Sequence, residues 1–204
     1  MCNRGDLEIS KQDQAAFADI TATLPKQYQA ALVPLKSVGV QGDFRSYKYL
    51  SVLNGNGLAA DWAEIHQIAR TVPNHVNCVN RMGYVLNQNK DLSKGVKAYP
   101  MYLNRADLDL LREIDAIVTQ TLQNKAISQA FAVLCPIGIT GQKSIAIRAI
   151  CTNDFMTGRA AMVGKEIRPE EFAAIVQEIE KNFPEIDLIL YDVTGKPPAT
   201  VEWQ

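Results

Sequence analysis

The residues best suited to chemistry lie close together in Lys196-Pro197-Pro198-Ala199-Thr200-Val201-Glu202-Trp203-Gln204. A cation stands at one end of this run, and a carboxylate and an indole at the other. Two prolines between them each fix φ, which biases the run toward an extended path. Two readings fit that spacing. In one, the run folds back and holds a ligand between Lys196 and Glu202. In the other, it only tucks Trp203 against the core. A wider set of polar and basic residues, Lys36, Arg45, Arg81, Gln129, Arg148 and Lys196, falls at strand ends and turns. A guanidinium fork with an ammonium point charge suits an anionic small ligand, although any one of these cations can equally be a solvated surface charge. Arg45 stands out, because it follows a Gly42-Asp43 turn and opens an alternating strand that aims its side chain.

Other chemistries find no support. His66 and His75 have no carboxylate or cysteine at metal-ligand spacing, so no metal site is expected. No nucleophile constellation and no catalytic residue stands out. Gly39-Val40-Gln41-Gly42 lacks the strand–turn–helix setting of a phosphate loop. Cys2, Cys78, Cys135 and Cys151 show no CxxC spacing and read as free thiols of a reducing cytoplasm. A net charge of −1 provides no basic field for nucleic acid and no polybasic membrane tract. No apolar run reaches membrane-spanning length, so neither nucleic acid nor membrane is expected as a partner.

The elements that must position these residues follow from periodicity. A helical pattern runs over Ile9–Leu24 with Ser10 as N-cap, and Ala30–Val40 is a strand with an edge or bulge at Pro34. Ser46–Leu53 alternates as a strand. Trp62, Ile65, Ile68 and Ala69 mark a helix ending before Pro73, and Cys78–Leu86 is a third strand. The polar stretch 87–100 reads as a linker loop. The order then recurs as a helix at Leu108–Leu122, strands at Ala130–Ile139 (interrupted by Pro136) and Ser144–Cys151, a helix opened by Pro169, and a strand at Ile186–Val193. Gln29-Ala30-Ala31-Leu32-Val33 echoes Gln129-Ala130-Phe131-Ala132-Val133. The expectation is an α+β fold of two repeated helix-β-β-α-β units, each a small three-stranded, mostly antiparallel sheet with helices on one face. The boundaries are 1–90 for the first repeat, 91–103 for a linker and 104–204 for the second repeat with the tail. A bare apolar sheet face is marginal, so a homologous unit, in the same chain or in a homodimer, is expected to cover the other side.

Three segments carry a resemblance. Leu35-Lys36-Ser37-Val38-Gly39-Val40-Gln41-Gly42-Asp43-Phe44-Arg45-Ser46-Tyr47 resembles the VGVQGD-x-RSY signature of glutamine-hydrolysing GMP synthases. Thr152-Asn153-Asp154-Phe155-Met156-Thr157-Gly158 resembles their T-x-DFMT segment, and Tyr191 through Trp203 resembles their YD-x-x-x-KPP-[AG]-T-x-EW ending. The resemblance covers the C-terminal dimerisation region, in the two-repeat form of the human-like branch. It implies a homodimer that binds xanthosine monophosphate (XMP) for ATP-dependent amination to GMP in purine biosynthesis. Arg45, Gln129, Lys196 and Glu202 match positions that contact XMP. Arg45 and Lys196 suit the phosphate, Glu202 the ring N–H groups, and Gln129 either edge of the base. Neither the glutaminase (amidotransferase) nor the ATP-pyrophosphatase domain matches within this sequence. Both are implied as partners within the parent enzyme, a C–N ligase. Mg-ATP belongs to that enzyme, no cofactor is expected in this chain, and the chain alone is expected to be inactive. The alternative is a purely structural oligomerisation module with a degenerate nucleotide site. Leu188 stands where many members carry Arg, and Gln204 where Glu is usual. The second-repeat loop Gly138-Ile139-Thr140-Gly141-Gln142-Lys143 lacks the QGD-x-R pattern and is expected to serve packing.

Overall fold

The computed structural model describes residues 1–5, 7–41, 44–123 and 126–204. The helices are α1 (Lys11–Thr21), α2 (Trp62–His75), α3 (Arg105–Thr121) and α4 (Pro169–Asn182). The long strands are β1 (Gln29–Gln41), β2 (Phe44–Asn54), β3 (Val79–Val85), β5 (Gln129–Cys135), β7 (Lys143–Cys151) and β9 (Ile186–Asp192). Short strands β4 (Lys97–Ala98), β6 (Ile137–Gly138) and β8 (Arg159–Ala160) lie between them. The fold is α+β, and the order helix, strand, strand, helix, strand occurs in each half.

The two halves share one sheet, in the order β1-β2-β3-β9-β7-β5, with β8 on the end of β7. Each half contributes an antiparallel hairpin, β1–β2 or β5–β7, and a parallel pair, β2–β3 or β7–β9. A parallel pair needs a long crossover, and α2 and α4 provide it. At the seam β3 runs antiparallel to β9, with Gly83 opposite Asp192, Tyr84 opposite Tyr191 and Val85 opposite Leu190. The two small sheets expected from the sequence are therefore halves of a larger one.

Local chemistry accounts for the element ends. Ser10 Oγ accepts from the Asp13 amide, and the Asp61 carboxylate accepts from the amides of Ala63 and Glu64. Asn104 caps α3 through the Asp107 amide, and Pro169 opens α4. The register of β1 shifts between Val33 and Lys36, the bulge expected at Pro34. Strand β5 stops at Cys135 and β6 begins at Ile137, so Pro136 interrupts the run as expected. Helix α2 does not end before Pro73; it continues to His75. The proline sits in the last turn, so the one bond forfeited by its missing N–H falls near the helix end, and its ring is buried.

All four helices pack on one face of the sheet, over Leu53, Met82, Tyr84, Ile145, Ile147, Ile189 and Tyr191. The opposite face presents Leu50, Val52, Val85, Ala146, Leu188 and Leu190. Part of its cover comes from this chain itself. Leu92 and Val96 of the 87–100 stretch and Trp203 of the tail close over it, while β4 pairs with β6 beside it. No helix among the described residues is long and apolar enough to cross a membrane.

Candidate functional site

The tail from Lys196 onward lies across the end of the sheet that carries the β1–β2 hairpin. It is not one extended run: the Lys196–Pro197 and Pro197–Pro198 bonds are both cis, and the chain turns there. Before the turn, Lys196 and Gly158 exchange both backbone hydrogen bonds at 2.7 and 2.9 Å. After it, the Val40 amide donates to the Pro198 carbonyl at 2.8 Å and the Val38 amide to the Trp203 carbonyl at 2.9 Å. Those amides lie on the free edge of β1, so the tail closes an edge that would otherwise be open to pairing. Trp203 is buried in the second apolar cluster, so the packing role weighed from the sequence is present.

The same path builds a cleft. Arg45, Gln129, Lys196 and Glu202 line one concavity of about 340 Å³, with Val38, Phe155, Thr200, Val201 and Gln204. Arg45, Gln129 and Glu202 are exposed in it, and Lys196 is half-buried. The four residues come from the β1–β2 hairpin, the start of β5 and the tail. The turn before Arg45 falls at Gly42-Asp43, outside the described residues. The structure thus brings together all four residues singled out from the sequence. Two cations, a carboxylate and an amide around one opening can bind an anion at one side and donor groups at the other.

Three members of the wider basic set lie elsewhere. Lys36 stands over the Tyr49 ring at 4.9 Å. Arg81 and Arg148 are fully buried on either side of Asp192, with contacts of 2.5 and 3.0 Å. They are inner supports, not ligand-facing groups, because their strands cross beneath the tail. A fully buried guanidinium must be paired, and Asp192 pairs with both.

Phe155 is a cleft residue to which the sequence reading gave no role. It lies in the 152–158 loop at φ 56° and is 59% exposed. Asp154 holds this loop, accepting from the amides of Met156 and Thr157 at 2.9 Å each. The Lys196 ammonium donates to the Phe155 carbonyl, which ties tail to loop. The DFMT segment was the signal that could have pointed to Phe155. A wider cavity of about 670 Å³ adjoins the cleft and shares Lys196. Its Arg159 and Glu166 are already paired at 2.6 and 2.9 Å, and that pairing outweighs burial to hold the Glu166 carboxyl down at about 2.

The corresponding loop of the second half is filled from within. The amides of Ile139, Thr140 and Gly141 all donate to Asp187, at 2.6, 2.8 and 2.9 Å, and Lys90 donates to its other oxygen at 2.8 Å. Burial alone would raise the Asp187 carboxyl. The bonds from Lys90 and from these amides outweigh it and bring it down to about 2. The backbone donors of this loop are therefore occupied. Leu188 lies in the second apolar cluster with Cys135 and Leu190, outside the cleft lining, so the missing cation leaves no gap in the cleft.

Comparison with known proteins gives a consistent family. Residues 15–91 and 115–203 match the sequence model of the GMP synthase C terminal domain. A GMP synthase (glutamine-hydrolyzing) of Dictyostelium discoideum is 36% identical over 190 residues, covering 84% of this chain and 26% of that protein. A probable GMP synthase of Caenorhabditis elegans is 31% identical, covering 97% of this chain and 29% of that protein. The GMP synthase of Alkalilimnicola ehrlichii is 42% identical over 108 residues, covering 47% of this chain. The chain thus spans less than a third of the length of these relatives.

Proposed function

Since the chain belongs to the GMP synthase C-terminal domain family, we propose that it is the XMP-binding and homodimerising region of a glutamine-hydrolysing GMP synthase. The observation that carries this reading is the meeting of Arg45, Gln129, Lys196 and Glu202 in one cleft. In this reading Arg45 and Lys196 hold the phosphate as fork and point charge. Glu202 accepts from N–H groups of the xanthine ring, and Gln129 bonds the other edge. Phe155 offers an aromatic face on which a base can stack.

In the proposed parent reaction, ammonia from glutamine attacks the purine carbon whose oxygen has been adenylated by Mg-ATP, and AMP leaves to give GMP. A glutaminase and an ATP-pyrophosphatase domain of the same enzyme supply the ammonia and the adenylation, in the cytoplasm. This chain contributes binding and orientation of XMP, not a reacting group, and on its own is inactive. The homodimer rests on the family resemblance.

Titration calorimetry with XMP tests the reading. Binding is expected for the chain, with loss of at least tenfold in Lys196→Ala and in Glu202→Gln. Unchanged affinity in both variants would remove the assignment. Sedimentation at micromolar concentration tests the dimer, and a monomer there would sink that part alone.

A further inference from the structure

Behind the cleft wall lies a polar cluster that the nucleotide contacts do not use. Arg81 Nη1 meets Asp192 at 2.5 Å, while its Nη2 donates to the carbonyls of Val38, Thr200 and Glu202 at 3.1, 3.2 and 3.0 Å. Its guanidinium also stacks on the Trp203 ring, 4.7 Å from the centroid. Arg148 reaches the same tail from the other half of the molecule, donating to the carbonyls of Thr194 at 2.5 Å and Thr200 at 3.1 Å. Both arginines are fully buried.

The arrangement is costly as a means of stability alone. Two buried cations share one carboxylate, and an apolar trio of similar volume commonly serves stability as well or better. What an apolar trio cannot do is fix several carbonyls at once. Val38, Thr200 and Glu202 are wall residues of the cleft. The two N–H groups of Arg81 Nη2, held in the guanidinium plane and shared among the three carbonyls, set them relative to one another, which a rotating lysine ammonium on a flexible stem does not reproduce.

We propose that Arg81 and Arg148 are positioning residues for nucleotide binding, which pin the tail across the seam between the halves and so set where Glu202 and Lys196 stand opposite Arg45. The proposal rests on the reading of the cleft as an XMP site. The Arg→Lys change separates positioning from charge, because it keeps the cation and removes the fork.

The test pairs XMP calorimetry with fluorine NMR of the chain labelled with 5-fluorotryptophan, in which Trp62→Phe assigns the Trp203 signal. Arg81→Lys is expected to displace the Trp203 signal and to weaken XMP binding at least tenfold in a protein that still melts cooperatively. Arg148→Lys, which loses fewer contacts, is expected to shift both in the same direction by a smaller amount, and it decides the matter if Arg81→Lys does not fold. Wild-type affinity in the folded lysine variants overturns the proposal. So does lost affinity with an unmoved Trp203 signal, which would assign the effect to something other than tail position. If the wild-type chain itself binds no XMP, the nucleotide reading fails first and this proposal fails with it.

Discussion

Gly39 and Ala199 face each other as a two-residue antiparallel bridge, and there is no room for a side chain on the Gly39 side. A Cβ at Gly39 would lie 2.6 Å from the Pro198 carbonyl oxygen and 2.6 Å from Asn80 Nδ2. Asn80 cannot readily yield, because its amide donates to the Ser37 carbonyl at 2.8 Å and its oxygen accepts from Ser37 Oγ at 3.0 Å. Gly39→Ala should therefore push the tail off β1. A loss of about 1–3 kcal/mol in urea unfolding is expected, together with faster proteolysis within 196–204. Native stability and native protection of the tail in the variant would show that the tail does not depend on this approach.

Asp187 is the acid that occupies the second-half loop, and its replacement should show a distinctive pH dependence. Asp187→Asn replaces an acceptor of three amides and an ammonium with a group that also donates. A loss of about 2–3 kcal/mol at neutral pH is expected. The folded carboxyl titrates near 2 and the unfolded one at its ordinary value of 3.8, so its contribution is complete well above 3.8 and is lost as pH falls through 2. Urea unfolding of both proteins at pH 7, 4 and 3 checks this. The gap should be widest at pH 7, slightly narrower at 4 and clearly narrower at 3, and a gap independent of pH would rule out the carboxylate as its source.

Much of this was legible in the sequence, for identifiable reasons. The Leu108, Leu111, Ile114 stripe gave α3, Ser10 and Pro169 gave helix starts, and Pro34 gave a bulge, because each signal is local. Lys196, Glu202, Arg45 and Gln129 stood out as polar groups at strand ends and in the tail, but that the four share one site was legible only through a resemblance, since hairpin, β5 and tail meet by tertiary folding. The seam between β3 and β9 had no local mark: both are continuously buried strands, and nothing in either names a partner a hundred residues away. Arg81 and Arg148 read as ligand cations because an isolated strand arginine looks the same whether it faces solvent or a buried Asp192. The prolines at 197 and 198 signalled stiffness but not direction, and the tail turns where an extended run was expected.

His66 should make the fold sensitive to mild acid. Burial, aided by the nearby cations Arg70 and Arg159 and opposed by Glu166, holds its imidazole down at about 4 from an ordinary 6.5. Between those values the unfolded chain binds a proton that the folded chain does not. Stability therefore rises with pH across the window, and falls by about 3 kcal/mol in total on going from 6.5 to 4. Asp187 begins to release its contribution only near its ordinary 3.8, below this window, and Glu166 near its ordinary 4.5, so Glu166 touches only the lowest half-unit of it. Urea unfolding at half-unit pH steps should show the slope in the wild type and lose most of it in His66→Gln. An equal slope in that variant would assign the acid sensitivity to another group.

The aromatic contacts at the seam predict that the two halves melt together. Trp62 of α2 and Tyr84 of β3 come from the first half, and Phe172 of α4 and Tyr191 of β9 from the second. Trp62 stands 5.3 Å from Tyr84, 6.1 Å from Phe172 and 6.2 Å from Tyr191, ring centre to ring centre, and Phe172 stands 4.8 Å from Tyr191. One indole thus packs against both halves at the line where Tyr84 pairs with Tyr191. Removing Phe172 takes a fully buried ring from this junction, so Phe172→Ala should cost about 3–5 kcal/mol. Because the core is continuous across the seam, the loss should reach both halves. Tryptophan emission and far-ultraviolet circular dichroism should give coincident transitions in wild type and variant alike, both at lower urea in the variant. Two separate steps in either signal, or midpoints that differ between the two signals, would mean that the halves unfold separately and that the seam does not couple them.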